Sequence, residues 1–274
     1  MINSIVFGIF AVIAYIAATS LIIKSAIVSP SKVERNHSKT PPYLLLAWIA
    51  AVAHGLCLAD RMWSNAGINF SLPETAALII LIIVVILLTT AFSKPVDNLG
   101  ILIFPLAALV LTMNLIIPQK AQHLNDASPG MQLHILSSIL AFSLLNIAAV
   151  QAILLAVQDH QLHHHKSNRF IRSLPPLQTM ESLLFQMIGA GVILLTLSLG
   201  SGLLFVEDLL EQHLAHKTVL SVFAWIVFSV LLWGRARHGW RGQTAIRWTL
   251  GGFASLMLAY FGSRMVLEII LQRV

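Results

Sequence analysis

Three histidines in this sequence, His54, His134 and His216, lie within or at the edge of long apolar stretches, where polar side chains are costly. His134 lies about one helical turn into the stretch that begins "GMQLHILSSIL", and His216 opens another. His54 follows Tyr43 by 11 residues, which on a helix is about 16 Å along the axis. If these stretches are helices of one bundle, the three imidazoles can meet in the same half of it. Neutral imidazole is a good ligand for haem iron or a transition metal, so the pattern indicates a candidate site for either.

A simpler interpretation of the same histidines stays open. His134 and His216 can be hydrated residues at the membrane interface, and His54 can be a hydrogen-bonded packing residue. Spacing alone favours this interpretation over a ligand role.

A second group of histidines lies in "QDHQLHHHKSNR" and comprises His160, His163, His164 and His165. His160 and His164 are one turn apart, a spacing that permits metal ligation on a helix. Asp159 is the one acid beside them, and the sequence offers no cysteine there. A solvated basic segment that faces lipid headgroups fits this composition better than a metal site.

Two further features have a structural and a functional interpretation. Arg264 and Glu268 are four residues apart and can form an ion pair, either as a structural pair or as part of a proton or ion path. The stretch "GAGVILLTLSLGSGLLF" contains four glycines, at positions 189, 191, 200 and 202. Small residues usually indicate close helix packing, but they also leave space for a flat cofactor.

The elements that must position these residues are membrane helices. Of the 274 residues, 57% are hydrophobic and only 10% are charged, whereas a soluble domain carries about 25% charged residues. Lipid must therefore be part of the solvent, and the net charge of +6 indicates cytoplasmic loops, not a nucleic-acid partner. The single cysteine, Cys57, excludes an internal disulfide and a cysteine-based metal cluster.

Eight apolar segments have about the 20 residues that a spanning helix needs. They are residues 4–24, 43–59, 73–92, 98–117, 131–157, 181–206, 216–234 and 244–271. We predict an all-α, polytopic membrane helix bundle with about eight transmembrane helices, forming one integral membrane domain over 1–274 without a soluble domain. No Lys or Arg precedes the first apolar run, which favours a retained helix over a cleaved signal peptide.

Basic residues predict the orientation of the bundle. The connections after the first, third, fifth and seventh segments contain eleven Lys and Arg, and those after the second, fourth and sixth contain three. Since cytoplasmic loops carry the excess of Lys and Arg, both termini should lie outside, in the periplasm.

Three stretches resemble a known family. "LHILSSILAFSLLNIAAVQAILL" is similar to a helix that begins with an outward-facing histidine. "TVLSVFAWIVFSVLLWGRARHGWRGQTAIRW" is similar to a helix with a basic cytoplasmic turn and a "GWRG" signature, and "GGFASLMLAYFGSRMVLEIIL" to a closing helix. The family is that of the integral membrane haem-handling proteins of cytochrome c assembly, the CcsA/CcmC group, and the sequence most resembles its YpjD-like inner-membrane branch. The resemblance defines a core over residues 131–271.

The resemblance implies a bundle that holds haem near the outer surface between histidine ligands. By position, His134 corresponds to an outer axial ligand and His54 to an inner one, with haem b as the cofactor. His216 lies where the outer loop meets the next helix. Lys217 could bind a haem propionate or an anionic lipid headgroup there.

Two family features are missing from this sequence. The loop Trp-Gly-x-x-Trp-x-Trp-Asp should lie between the sixth and seventh segments, where the sequence reads "VEDLLEQHLAHKT". A second outer histidine should lie near "FGSRMV", which contains none. We therefore expect a multi-pass inner-membrane protein that binds or handles haem without cytochrome c synthase activity. The alternatives are a non-catalytic membrane partner or subunit of a transporter or assembly complex, and a transporter of ions, metal or haem.

Overall fold

The computed structural model describes residues 2–28, 41–64, 67–69, 71–117, 123–124, 129–163, 174–205 and 212–262. Within these ranges the helices are α1 (Ile2–Val28), α2 (Pro42–Met62), α3 (Leu72–Ala91), α4 (Gly100–Ile116), α5 (Pro129–His163), α6 (Leu177–Phe205), α7 (Gln212–His238) and α8 (Gly242–Met257). A 3₁₀ turn, Asp97–Leu99, precedes α4, and a π-helical turn, Leu258–Gly262, follows α8. The prediction of an all-α membrane fold is confirmed.

Seven helices in the described ranges, α1 to α7, are long and apolar enough to cross a membrane. The predicted eighth segment, 244–271, begins as α8 and its π-helical turn and then continues beyond the described residues. A small antiparallel sheet, which the sequence did not predict, has the strand order β1 (Trp63–Ser64), β2 (Gly67–Asn69) and β3 (His123–Leu124). It links two connections, because β1 and β2 lie between α2 and α3 and β3 lies between α4 and α5.

The chain divides into two units, and the first comprises Met1–Asp126 and His160–Pro176. Helices α1 and α3 each pack against both α2 and α4. Alanines such as Ala14 and Ala50 are buried between the helices, because a short side chain lets two backbones approach closely. Larger side chains such as Ile13 and Val52 remain exposed on the opposite faces, where hydrocarbon is their natural solvent.

Aromatic rings fill the centre of this first unit. Tyr15 of α1 is fully buried and stacks on Phe104 of α4, with 5.9 Å between ring centroids. The same ring meets His54 of α2 edge-on at 6.0 Å. These contacts fix the relative rotation of three helices and hold His54 in the interior.

The second unit comprises Ala127–Asp159 and Leu177–Val274. Helix α5 lies close against α6: a Cβ at Gly191 would be 2.7 Å from the Leu145 side chain. The Gln151 side-chain amide also donates a hydrogen bond to the Met180 carbonyl at 3.1 Å. Helix α6 packs against α7, and α7 packs against α8 and the π-helical turn. For Gly191, the structure therefore supports the interpretation of close helix packing.

The "GWRG" turn between α7 and α8 has a conformation that needs its glycines. Gly239 and Gly242 have φ angles of 68° and 53°, in the left-handed region that other residues rarely adopt. The Gly242 N–H, at the start of α8, donates to the carboxylate of Glu181, a buried residue of α6, at 2.5 Å. A carboxylate is favourable at a helix N-terminus, so this contact anchors α8 on α6 within the second unit.

Candidate functional site

The second unit contains a cavity of about 310 Å³, which we call the His134 cavity. Its walls come from α5, α6, α7, the end of α8 and the π-helical turn. Apolar and aromatic side chains form most of the lining: Phe142, Leu195, Leu199, Leu203, Val222, Leu256, Ala259 and Tyr260. The polar side chains are His134, Ser138, Ser198, Lys217, Thr218 and Ser221. An apolar pocket of about 300 Å³ or more with a few converging polar groups is typical of a small-molecule site.

His134 has a defined tautomer in this cavity. Its Nδ1 lies 2.9 Å from the backbone carbonyl oxygen of Ser198. A carbonyl oxygen only accepts hydrogen bonds, so Nδ1 must carry the proton and donate it. In the neutral imidazole the lone pair is then on Nε2. Metal-ligating histidines usually have this arrangement, with the non-ligating ring nitrogen donating to a carbonyl or carboxylate.

Gly202 makes room for the His134 ring. A Cβ built at Gly202 would lie 3.0 Å from Cε1 and 3.1 Å from Nδ1 of His134, which is tighter than almost all real contacts of that atom. A Cβ at Gly200, on the same helix, would meet no described atom within 4 Å outside its own helix backbone. The missing side chain at 202 therefore leaves room for the imidazole, whereas a Cβ at 200 would not approach it.

Lys217 lines the same cavity and is partly buried near the start of α7. Two residues that the sequence analysis singled out, His134 and Lys217, are thus brought together by α5 and α7. His216 precedes Lys217 on α7, but its side chain lies outside the described part of the structure.

His54 belongs to the first unit and is fully buried. Its Nδ1 lies 3.4 Å from the Tyr15 hydroxyl oxygen. Its Nε2 is also buried and has no hydrogen-bond partner among the described residues. The contacts with Tyr15 agree with a packing role, whereas a buried nitrogen without a described partner could also bond to a ligand.

A polar network in the first unit was missed by the sequence analysis. Arg61 at the end of α2 forms an ion pair with Glu74 of α3 at 3.3 Å and donates to the Asn114 carbonyl of α4 at 2.7 Å. The Asn114 side-chain amide donates to the same Glu74 oxygen at 3.2 Å, and the Ser71 hydroxyl donates to the other. Glu74 is fully buried. A buried ion pair within membrane helices is costly and needs such partners, so this network ties three helix ends together.

The remaining predicted residues are less informative. His160 is exposed on α5, and the side chains of His163, His164 and His165 lie outside the described part, as do Arg264 and Glu268. Among the described side chains, no group of three or more His, Cys, Asp or Glu is placed to hold a metal ion. The His134 cavity is therefore the site on which a functional argument can rest.

Fold and site together define a polytopic membrane protein with a histidine-containing cavity in its second unit. A family model described as "Cytochrome C assembly protein" matches residues 39–271, and the chain belongs to that family. The match includes the core that the sequence analysis defined and all the residues lining the His134 cavity.

Three relatives illustrate the range of similarity. "Inner membrane protein YpjD" of Escherichia coli (strain K12) is 34% identical over an alignment of 272 residues that covers 97% of this chain and 99% of that protein. An "Uncharacterized 28.8 kDa protein in nifR3-like 5'region" of Azospirillum brasilense is 33% identical over 53% of this chain and 55% of its own length. "Cytochrome c biogenesis protein CcsA" of Prochlorococcus marinus (strain NATL1A) is 25% identical over 38% of this chain and 36% of its own.

No solved structure matches the chain. The full-length similarity to an inner-membrane protein, together with the apolar helices, identifies the chain as a multi-pass protein of the bacterial inner membrane.

Proposed function

We propose that this protein binds haem b in the His134 cavity, where Nε2 of His134 would ligate the iron. The observation that carries the proposal is the hydrogen bond from Nδ1 of His134 to the Ser198 carbonyl, inside a largely apolar cavity. When bound, haem would supply a redox-active iron, and the protein would set its ligation and shield it from water.

The residues around the cavity fit such a group. The donor is a neutral imidazole nitrogen, which is a common axial ligand of haem iron. The walls are apolar and aromatic, as the porphyrin ring requires. Lys217 contributes an ammonium group on the same cavity, and an ammonium group can pair with a carboxylate such as a propionate.

We also propose His54 as a haem ligand in the first unit. The support is its fully buried Nε2, which has no partner among the described residues. A ligand at this nitrogen would satisfy a polar atom that is otherwise costly to bury.

The proposed role is haem binding or handling in cytochrome c assembly, without synthase activity. The segment "VEDLLEQHLAHKT" contains no tryptophan and so lacks the loop expected to present haem for covalent attachment. The proposal therefore separates haem binding, which the His134 cavity supports, from thioether formation.

The experiment that tests the proposal is a haem titration of the purified protein in detergent, followed by absorption spectroscopy in the oxidised and reduced states. We expect stoichiometric binding and a spectrum typical of histidine-ligated b-type haem. A protein whose spectrum shows only free haem throughout the titration would contradict the proposal.

The glycine beside His134 offers a matched test of the site geometry. Gly202→Ala should weaken haem binding by about 10-fold to 100-fold, because the added methyl group would push the imidazole away from the Ser198 carbonyl. Haem titration of the variant measures the effect. Gly200→Ala is the control, since it makes the same change on the same helix where space is open. Equal haem affinities for the two variants would show that the position of the His134 ring does not affect haem binding.

The proposed orientation places both termini and the His134 end of α5 in the periplasm. A reporter enzyme that is active only outside the cytoplasm should be active when fused after Val274 and inactive when fused after Asn36, because the connection after α1 is rich in Lys and Arg. Activity is assayed in intact cells with equal amounts of each fusion. The opposite pattern of activity would reverse the proposed orientation.

A further inference from the structure

Two aromatic side chains on different elements stack beside the His134 cavity. Phe142 lies on α5, two helical turns after His134, and is almost completely buried. Tyr260 lies in the π-helical turn after α8 and is partly buried. Their ring centroids are 5.0 Å apart and their planes differ by 28°, and both side chains line the cavity.

The backbone around Tyr260 suggests that its position is functional. A π-helical turn is rare, is less stable than a regular α-helical turn, and often occurs at functional sites. Here it places two consecutive residues, Ala259 and Tyr260, on the cavity surface. The small side chain of Ala259 leaves space beside the larger ring of Tyr260.

A third ring supports Phe142 from another direction. Phe253 of α8 lies 6.2 Å from Phe142, with a tilt of 38°. Phe253 is not among the described residues that line the cavity, so it contacts Phe142 without reaching the cavity itself. Phe142 thus contacts two further rings, Phe253 and Tyr260, and itself lines the cavity.

We propose that Phe142 and Tyr260 form an aromatic wall that binds the face of a planar conjugated ring, and that this wall recognises a porphyrin independently of its iron. This inference rests on the proposed function, because it concerns how the His134 cavity binds the porphyrin ring of the haem, as distinct from the iron. The wall supplies stacking contacts with the ring, Lys217 pairs with a carboxylate, and His134 adds iron ligation when the metal is present.

The probe that separates the wall from the iron ligand is metal-free protoporphyrin IX, whose binding to the detergent-purified full chain can be followed by fluorescence. Tyr260→Leu and Phe142→Leu should each weaken its binding roughly twofold to tenfold, the usual worth of an aromatic contact. His134→Ala should weaken the binding of protoporphyrin less than it weakens the binding of haem, because only haem offers an iron for the imidazole to ligate. With haem, the same variant should lose the histidine-ligated signal of the His134 cavity.

Two control variants distinguish the loss of a contact with the porphyrin ring from a general loss of folding. Tyr260→Phe keeps the ring and should bind protoporphyrin about as well as the unmodified protein. Phe253→Leu removes the supporting ring outside the cavity and should weaken protoporphyrin binding less than Tyr260→Leu or Phe142→Leu does. Thermal unfolding of each variant reports whether the fold is intact. If folding is lost in Phe142→Leu, the half-buried Tyr260 still provides the test.

Two results would overturn the inference while leaving the proposed function in place. One is that haem binds with a histidine-ligated spectrum but metal-free protoporphyrin does not bind. The other is that Tyr260→Leu and Phe142→Leu bind protoporphyrin as tightly as Phe253→Leu does. A protein that binds neither compound would instead contradict the proposed function and the inference together.

Discussion

Replacing His134 with alanine is expected to remove the histidine-ligated signal of the haem in the His134 cavity, leaving only the contribution of His54, while the chain stays folded. The His134 imidazole lines the cavity, and its Nδ1 donates a hydrogen bond to the Ser198 carbonyl. This bond leaves the lone pair of the neutral ring on Nε2, where it can ligate iron. The side chain is only partly buried at a cavity wall, so its truncation should cost little stability. Absorption spectra of the haem-titrated variant in both redox states measure the loss.

His160→Ala is the matched control for this prediction. It removes a histidine from the same helix, but from an exposed position. Its haem spectrum should equal that of the unmodified protein. If His134→Ala and His160→Ala gave the same, fully histidine-ligated spectrum, His134 could not be a ligand of the iron.

The second large effect is expected at the buried ion pair of the first unit. Glu74→Gln should lower the midpoint of thermal unfolding in detergent by roughly 10 °C, since breaking a buried ion pair typically costs about 3–5 kcal/mol. The cause is that Arg61 would keep its charge at a largely buried position without the carboxylate that now lies 3.3 Å away. Asn114 and Ser71 would also lose their charged acceptor.

The double variant Arg61→Met, Glu74→Leu tests this explanation. Removing both charges leaves no uncompensated ion, so most of the lost stability should return, as is common when apolar residues replace a buried pair. A double variant as unstable as Glu74→Gln would mean that the stability loss comes from changing residue 74 itself and not from leaving Arg61 unpaired.

Much of the fold could be predicted from the sequence because lipid exposure imposes long apolar runs. The predicted segments 43–59 and 73–92 correspond to α2 and α3 within a few residues. For the site, the sequence analysis named His134 by its place near a segment end and Lys217 through the family resemblance, and both residues line one cavity in the structure.

The finer parts of the site were not predictable, because they depend on contacts between distant segments. Arg61 and Glu74 looked like ordinary polar residues at segment ends, and only the packing of α2, α3 and α4 buries them together. The sequence does not indicate that the Ser198 carbonyl accepts a hydrogen bond from His134. It also does not indicate that Gly202, among the four glycines of this segment, lies against the His134 ring. The π-helical turn at Tyr260 likewise has no pattern that distinguishes it from an α-helix.

Chemical rescue of His134→Gly is the most direct test of the central claim, that the His134 imidazole ligates haem iron in this cavity. The variant by itself should lack the histidine-ligated signal of the His134 cavity, because the truncation removes that ligand and leaves space where it stood. Titration with free imidazole should then restore the spectrum of the unmodified protein, with saturation at a defined imidazole concentration. A variant that shows the unmodified spectrum before imidazole is added, or a spectrum that imidazole does not change, would contradict the claim.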